Sequence, residues 1–390
     1  MLLYTATCTI ATAGSFSEIM VSVEGEGMAE ESMTSWFWDT EVWLPPGYTW
    51  ESLNQAKDFE YPRFLDIWTY PFAIAAAFII LRYFILTPYV FIPFALRTGI
   101  TSICARPPLP NATLEKIFGK YRTRAPVEII LEGAKKEGLT ERQVERWLRQ
   151  KAASTRTTDV GKFLDCIWQV VYYSLYTIFG VVVLWDKPWL WDIRHCWYRF
   201  PEQSVEVDVW WYYMVALGFY WCMTLTHFIQ HHRKDSAQMF LHHVLTIMLI
   251  TFSWTCNFIR AGTLVLLVHE CTDIPMLIAK IFSLYKRQDL MDKFFGVFLL
   301  LWLATRTGLY PFWIMRSTLF EAHLILNWMY PVYYIFNGML IALLVIHCIW
   351  TYFILRIVIR KLRNQEVQDI RSSSDYSAED DDSVELKKES

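Results

Sequence analysis

The sequence predicts an all-α polytopic membrane protein with about seven transmembrane helices: one leading span, a small soluble helical segment, then a six-helix bundle. Three observations carry this. The 390 residues are 54% hydrophobic and 17% aromatic but only 19% charged, below the roughly 25% charge of an ordinary soluble domain. Apolar runs of about 20 residues, the length that crosses a bilayer, recur near residues 67–87, 164–185, 209–228, 238–257, 261–284, 294–315 and 332–357. Charge is segregated along the chain: residues 1–65 hold two basic and ten acidic side chains, residues 97–162 fourteen basic and seven acidic. A soluble enzyme is disfavoured, and the asymmetry is of the kind that sets membrane orientation.

The elements follow in order. Residues 1–66 form an acidic segment, expected on the lumenal side and disordered over its first 30 residues. The first apolar run, 67–87, contains Arg82 and is followed by Pro88 and Pro93, and with its interfacial extension the span occupies 67–96. Residues 111–153 read as three short helices, over 111–121, over 127–136, and a third opened by Thr140-Glu141-Arg142-Gln143, a capping-box pattern in which residue 140 and residue 143 satisfy each other's backbone N–H. Basic stretches at 97–162, 231–237, 285–293 and 358–363 all fall on one side of a seven-span chain, taken as cytosolic. The Trp-rich run Trp185-Asp186-Lys187-Pro188-Trp189-Leu190-Trp191 reads as an aromatic belt at the other interface. Residues 361–390 form an acidic cytosolic tail, expected to be disordered, with three basic and nine acidic residues from Glu366 onward. The eight cysteines are scattered without a Cys-x-x-Cys pair, as small buried hydrophobes.

Ionisable groups at membrane depth are costly and therefore mark candidate sites. On the fourth span, spacings of four, seven and four place His242, Thr246, Ser253 and Asn257 on one stripe, with His243 about 100° away. On the fifth, His269 and Asp273 stand at i and i+4, with Glu270 within reach of Asp273. Counted at about 1.5 Å per residue from the basic ends of their helices, Asp273 is the better depth match to His242. A histidine beside a carboxylate in a dry site can act as general base or nucleophile, which suits acyl transfer. Interhelical hydrogen bonding is the plainer reading for Thr246, Ser253 and Asn257. Arg306 in the sixth span pairs with a carboxylate or substrate phosphate, or snorkels. A metal site is the rival for the histidines, but His227 and His231 are the only pair at four-residue spacing, and no metal is assigned. His195, His323 and His347 have no evident partner.

These residues carry a resemblance. Trp210 to Met214, Phe219-Tyr220-Trp221, Arg233-Lys234-Asp235, Leu241-His242-His243, Phe252-Ser253-Trp254, Asn257, Arg260-Ala261-Gly262-Thr263 and His269-x-x-x-Asp273 closely resemble the longevity-assurance motif of ceramide synthases, inside a TLC domain expected over 162–360. The resemblance implies an endoplasmic-reticulum N-acyltransferase that joins a fatty acyl-CoA, its substrate, to the amino group of a sphingoid base, with no cofactor. It maps the catalytic histidines onto His242 and His243 and an acidic partner onto Asp273, and it puts His269, Glu270, Thr246, Ser253, Asn257 and Arg306 around the pocket. The family usually has Asp where this chain has Glu270. Arg233 and Lys234 are candidate contacts for CoA phosphates. The lumenal connection from Arg316 to Tyr330, with Ser317, Leu319 and Glu321, occupies the family's acyl-length determinant.

Residues 105–153 resemble the homeobox-like segment of animal ceramide synthases. Gln150 stands where a homeodomain has its base-reading Asn, so nucleic acid is disfavoured and the basic charge is referred to topology or anionic lipid. The one Asn-x-Ser/Thr, Asn111-Ala112-Thr113, falls on the cytosolic side, and Lys387-Lys388-Glu389-Ser390 resembles a dilysine retrieval signal. The partners implied are acyl-CoA, a sphingoid base and the bilayer; a homo- or heterodimer is left open. From another class, the alternative is a TLC protein that senses or carries lipid without catalysis.

Overall fold

The computed structural model describes residues 39–56, 58–100, 107–155, 158–227, 236–326 and 330–363. Among these residues the regular structure is helical throughout, as the apolar periodicity requires. The long elements are α1 (Phe64–Arg97), α5 (Asp159–Leu184), α6 (Val207–His227), α7 (Ser236–Thr255), α8 (Ile259–Glu270), α9 (Asp273–Leu284), α10 (Gln288–Leu326) and α11 (Pro331–Leu362). Between α1 and α5 lie α2 (Ala112–Tyr121), α3 (Val127–Glu137) and α4 (Glu141–Thr155). Five helices, α1, α5, α7, α10 and α11, are long and apolar enough to cross a membrane. The other two expected spans are differently made: α6 is 21 residues of which seven are Phe, Tyr or Trp, and the fifth span is divided between α8 and α9.

Two expectations are corrected, and the first span runs as one helix through its prolines to Arg97. It does so by winding more widely over Leu81–Phe91, a geometry that absorbs the N–H missing at Pro88. The run expected to leave the membrane at Arg316 likewise continues as helix to Leu326, wound widely over Leu303–Met315 around Pro311. The fifth span is broken at Cys271-Thr272. Pro275 cannot donate to the carbonyl of Cys271 and its ring crowds that oxygen, which opens the helix one turn upstream.

Two features explain how α1 joins the bundle. Gly218 on α6 lets the helices touch: a Cβ there would lie 2.6 Å from Ile74 Cγ2 and 3.1 Å from the Pro71 carbonyl. Arg82, buried on the same helix, donates to Asp165 of α5 at 2.5 Å. That pairing makes a charge at membrane depth tolerable. Aromatic rings from α5 and α6 fill the interior, with Tyr172 stacked on Phe219 and Tyr176 on Tyr212.

The two ends of the bundle differ in kind. At one, Phe163 packs against Phe94 and Tyr285, the Tyr285 hydroxyl donates to Thr98, and Lys361 pairs with Asp292. This end gathers the basic connections after Arg97, before Lys162, at Lys286-Arg287 and at Arg360-Lys361. At the other, residues 39–63 and 185–206 fold over the helix ends as a cap. Tyr61 donates to the Thr255 carbonyl, Trp254 to the Arg63 carbonyl, and Trp43 packs on Phe252. The soluble segment has a core of its own in Leu114, Phe118, Ile130, Ala134, Val144 and Leu148. Its third helix opens as the sequence reads, Thr140 N–H donating to Gln143 Oε1 at 2.8 Å and Gln143 N–H to Thr140 Oγ1 at 3.3 Å.

Candidate active site

A narrow cavity lies inside the bundle between α6, α7, α8 and α11. Its wall brings together four of the residues the sequence singles out: His242, Thr246 and Ser253 from α7, and His269 from α8. The rest of the lining is Tyr213, Tyr220, Gly262 and aliphatic or aromatic side chains, among them Leu249, Ile250, Phe336 and Leu340. The helical period explains the selection, since 242, 246, 249, 250 and 253 share one face of α7. The result is a mostly apolar tunnel with two imidazoles near one end.

The buried rings are only partly bonded. His242 lies edge-on to Trp350, with ring centroids 5.3 Å apart, and its Nδ1 is buried without a hydrogen-bond partner. His243 is not on the cavity wall; it packs behind it against Tyr220 and His227, with Nδ1 likewise unpartnered. His269 Nδ1 lies 2.6 Å from the Val265 carbonyl. A carbonyl only accepts, so that nitrogen carries the proton, and in the neutral ring the lone pair sits on the buried, unpartnered Nε2. Beside it, Glu270 is 1% exposed, and neither carboxylate oxygen has a hydrogen-bond partner. The Glu270 and Asp273 carboxylates lie in the electrostatic neighbourhood of Tyr173 and Tyr220.

Arg306 is buried and does not snorkel. Its guanidinium turns inward to the break between α8 and α9, donating to the His269 carbonyl at 2.5 Å and to Thr272 Oγ1 at 3.1 Å. In an unbroken helix the His269 carbonyl would receive the N–H of residue 273; here the guanidinium and the Thr272 hydroxyl serve it instead. The other arm reaches His347 Nε2 at 3.0 Å. Arginine has no acceptor atom, so that nitrogen accepts and the proton of neutral His347 sits on Nδ1. His347 is 1% exposed and packs on His269 at 4.9 Å between ring centroids. It was the one member of this cluster without a signal in the sequence, because its partner lies 41 residues away on another helix.

The remaining candidates fall elsewhere. Asn257 does not continue the α7 stripe: that helix ends at Thr255, and Asn257 adopts φ 59°, its amide donating to the Pro201 and Gln203 carbonyls of the cap. His269 lies in the last turn of α8 and Asp273 opens α9, on either side of the break. Thr246 returns its hydroxyl to the His242 carbonyl, and Ser253 bonds Tyr213. Arg316, Ser317, Leu319 and Glu321 are helical, not a loop. Ser317 accepts from Trp197 Nε1 at 2.9 Å and the Leu319 carbonyl from Tyr333, while Arg316 is exposed. Arg233 and Lys234, like His231, His232, the dilysine and the first 38 residues, lie outside the described residues.

The fold and the cavity together define a multi-pass helical membrane protein with a histidine-bearing, mostly apolar cavity within the bundle. Residues 162–356 match the family TRAM_LAG1_CLN8, the TLC domain. The chain is 35% identical to ceramide synthase 5 of Homo sapiens over 89% of its own length and 88% of the relative's. It is 36% identical to ceramide synthase 3 of Homo sapiens, covering 87% and 88%, and 30% identical to ceramide synthase hyl-1 of Caenorhabditis elegans, covering 87% and 84%. The chain belongs to the ceramide synthase family of TLC-domain proteins.

Proposed function

We propose that this protein is a ceramide synthase of the endoplasmic-reticulum membrane, transferring a fatty acyl group from acyl-CoA to the amino group of a sphingoid base to give (dihydro)ceramide and CoA. The observation that carries the reading is the apolar tunnel with His242 and His269 on its wall, within the TLC match. Both substrates bring a long apolar chain, which belongs in such a chamber, and the thioester must react where water is excluded.

The chemistry assigned to the residues is as follows. A sphingoid ammonium must lose a proton before its nitrogen attacks the thioester carbonyl. His242 takes that proton, or first accepts the acyl group as an acyl-imidazole that the amine then cleaves; CoA leaves as the thiol in either case. Asp273 steadies the charged imidazole. His243 polarises the acyl carbonyl or holds a hydroxyl of the base, and the Glu270 carboxylate holds the incoming ammonium. No cofactor enters this scheme. Acyl-CoA is cytosolic, so the basic end faces the cytosol and the cap faces the lumen, and Arg233 and Lys234 are assigned from the sequence as contacts for CoA phosphate.

The test is acyl transfer to sphinganine by membranes containing the full chain, across a ladder of acyl-CoA lengths, for wild type, His242→Ala and Asp273→Asn. Loss of a general base lowers turnover by about 10²- to 10⁴-fold, and both variants are expected to fall in that range at normal expression. Unchanged activity in His242→Ala removes that residue from the mechanism. A wild type without acyl transfer for any acyl-CoA leaves a lipid sensor or carrier as the better reading.

A further inference from the structure

At the end of the tunnel away from His242, α6, α7 and α8 meet at a hydrogen-bonded plug. The Tyr213 hydroxyl lies 3.1 Å from Ser253 Oγ and donates to the Ile259 carbonyl at 3.1 Å. It sits in a notch that exists only because residue 262 is glycine: a Cβ there would lie 1.7 Å from the Tyr213 oxygen and 3.3 Å from Ser253 Oγ. The ring is fully buried, packs on Trp254, and forms part of the cavity wall. Ser253 is eleven residues beyond His242 on the same helix, so the plug lies about 16 Å farther along α7, toward the cap, than the reacting end.

We infer that Tyr213, locked by Ser253 and Ile259 over Gly262, is the floor of the acyl tunnel and sets the longest acyl chain the enzyme accepts. This rests on the acyl-transfer reading above and deepens it. A chain whose thioester carbonyl reaches His242 extends along Thr246, Leu249 and Ile250, and its methyl end stops against the tyrosine ring. The floor is rigid because both hydroxyl contacts are buried, and moving the ring breaks two hydrogen bonds in an apolar interior. An additional methylene has no volume to enter. Such a wall discriminates sharply, since one methylene too many in a closed hydrophobic pocket changes relative rates by about tenfold or more. Ile250, one turn short of the floor, sets how far the tunnel stays open above it.

The experiment is the acyl-CoA ladder with sphinganine as acceptor, read as the product ratio between chains longer than the wild-type optimum and the optimum itself. Tyr213→Leu, which deepens the tunnel, is expected to raise this ratio about tenfold. Tyr213→Phe keeps the ring but loses both hydrogen bonds and gives a smaller shift in the same direction. Ile250→Trp raises the floor and moves the optimum to shorter chains. An active Tyr213→Leu with the wild-type profile overturns the inference. Should Tyr213→Leu fail to accumulate, an unshifted profile in Ile250→Trp overturns it instead. Absence of acyl transfer from the wild type is a different failure, that of the acyl-transfer reading itself.

Discussion

The cap and the site bury similar polar groups and treat them in opposite ways. In the cap, Gln203 donates to the Cys196 and Tyr198 carbonyls, Asn257 to those of Pro201 and Gln203, and Lys187 is held among Glu206, Asp208 and Asp186 at 2.5, 2.9 and 3.4 Å. Burial works against the Lys187 charge, but hydrogen bonds to Glu206 and Asp208 outweigh it and hold the ammonium above the ordinary lysine range. In the site, His242, His243 and His269 each keep an unpartnered ring nitrogen, and Glu270 keeps both oxygens. A satisfied network fixes a shape, whereas buried polar atoms without partners are costly and persist where something else is to use them. The cap therefore reads as scaffold and the tunnel as chemistry.

Arg306 stands on the border of this comparison, with both terminal nitrogens engaged and Nε buried without a partner, and among the variants considered below its replacement carries the largest effect. Arg306→Met leaves His347 Nε2 without its donor and the His269 carbonyl with the Thr272 hydroxyl alone, and lets the break between α8 and α9 relax. A displacement of about 1 Å at a catalytic group costs about 10²-fold, so kcat is expected to fall by that order while acyl-CoA KM changes little. Arg306→Lys, a single ammonium, cannot serve the His269 carbonyl, Thr272 and His347 with the same fork and recovers only part of the loss. A kcat equal to wild type in Arg306→Met would show the guanidinium to be packing alone.

Asn257 sharpens the comparison from the cap side. Asn257→Ala removes two buried hydrogen bonds and places Ala at φ 59°, where Asn is tolerated and Ala is strained. Orphaning buried carbonyls costs about 1–3 kcal/mol, which thermal unfolding in detergent reads as a lowered Tm. Activity per folded molecule stays at the wild-type level if the cap is scaffold; a loss of kcat at unchanged Tm would return Asn257 to the pocket.

The same residues explain what the sequence could and could not disclose. The spans were legible because 20 apolar residues have few alternatives to crossing a bilayer, and the tunnel face of α7 because periodicity fixes which side chains share a side. Asn257 misled because the stripe assumed a helix continuing through it, although Asn is a common residue for leaving a helix in the left-handed conformation. Pro275 announced the break in the fifth span, yet nothing local says that Arg306 and His347, on two other helices, converge there. Periodicity reports which face a residue occupies, and never which distant residue stands opposite.

The smallest effect belongs to the segment that resembles a homeobox, farthest in character from both cap and site. It is an independent packing unit, with its own core and with Asn111 Nδ2 donating to Glu137 at 2.7 Å. Hydrogen bonds from Thr113 and Asn111 hold the Glu137 carboxyl below the ordinary glutamate range. Thr140→Ala deletes the hydroxyl side of the capping box that opens α4, a change worth about 0.5–2 kcal/mol, confined to this unit. Hydrogen exchange is expected to quicken across α2, α3 and α4 and to stay unchanged in the bundle, with acyl transfer at wild-type rate and chain-length profile. A change in that profile would mean that this segment is coupled to the tunnel.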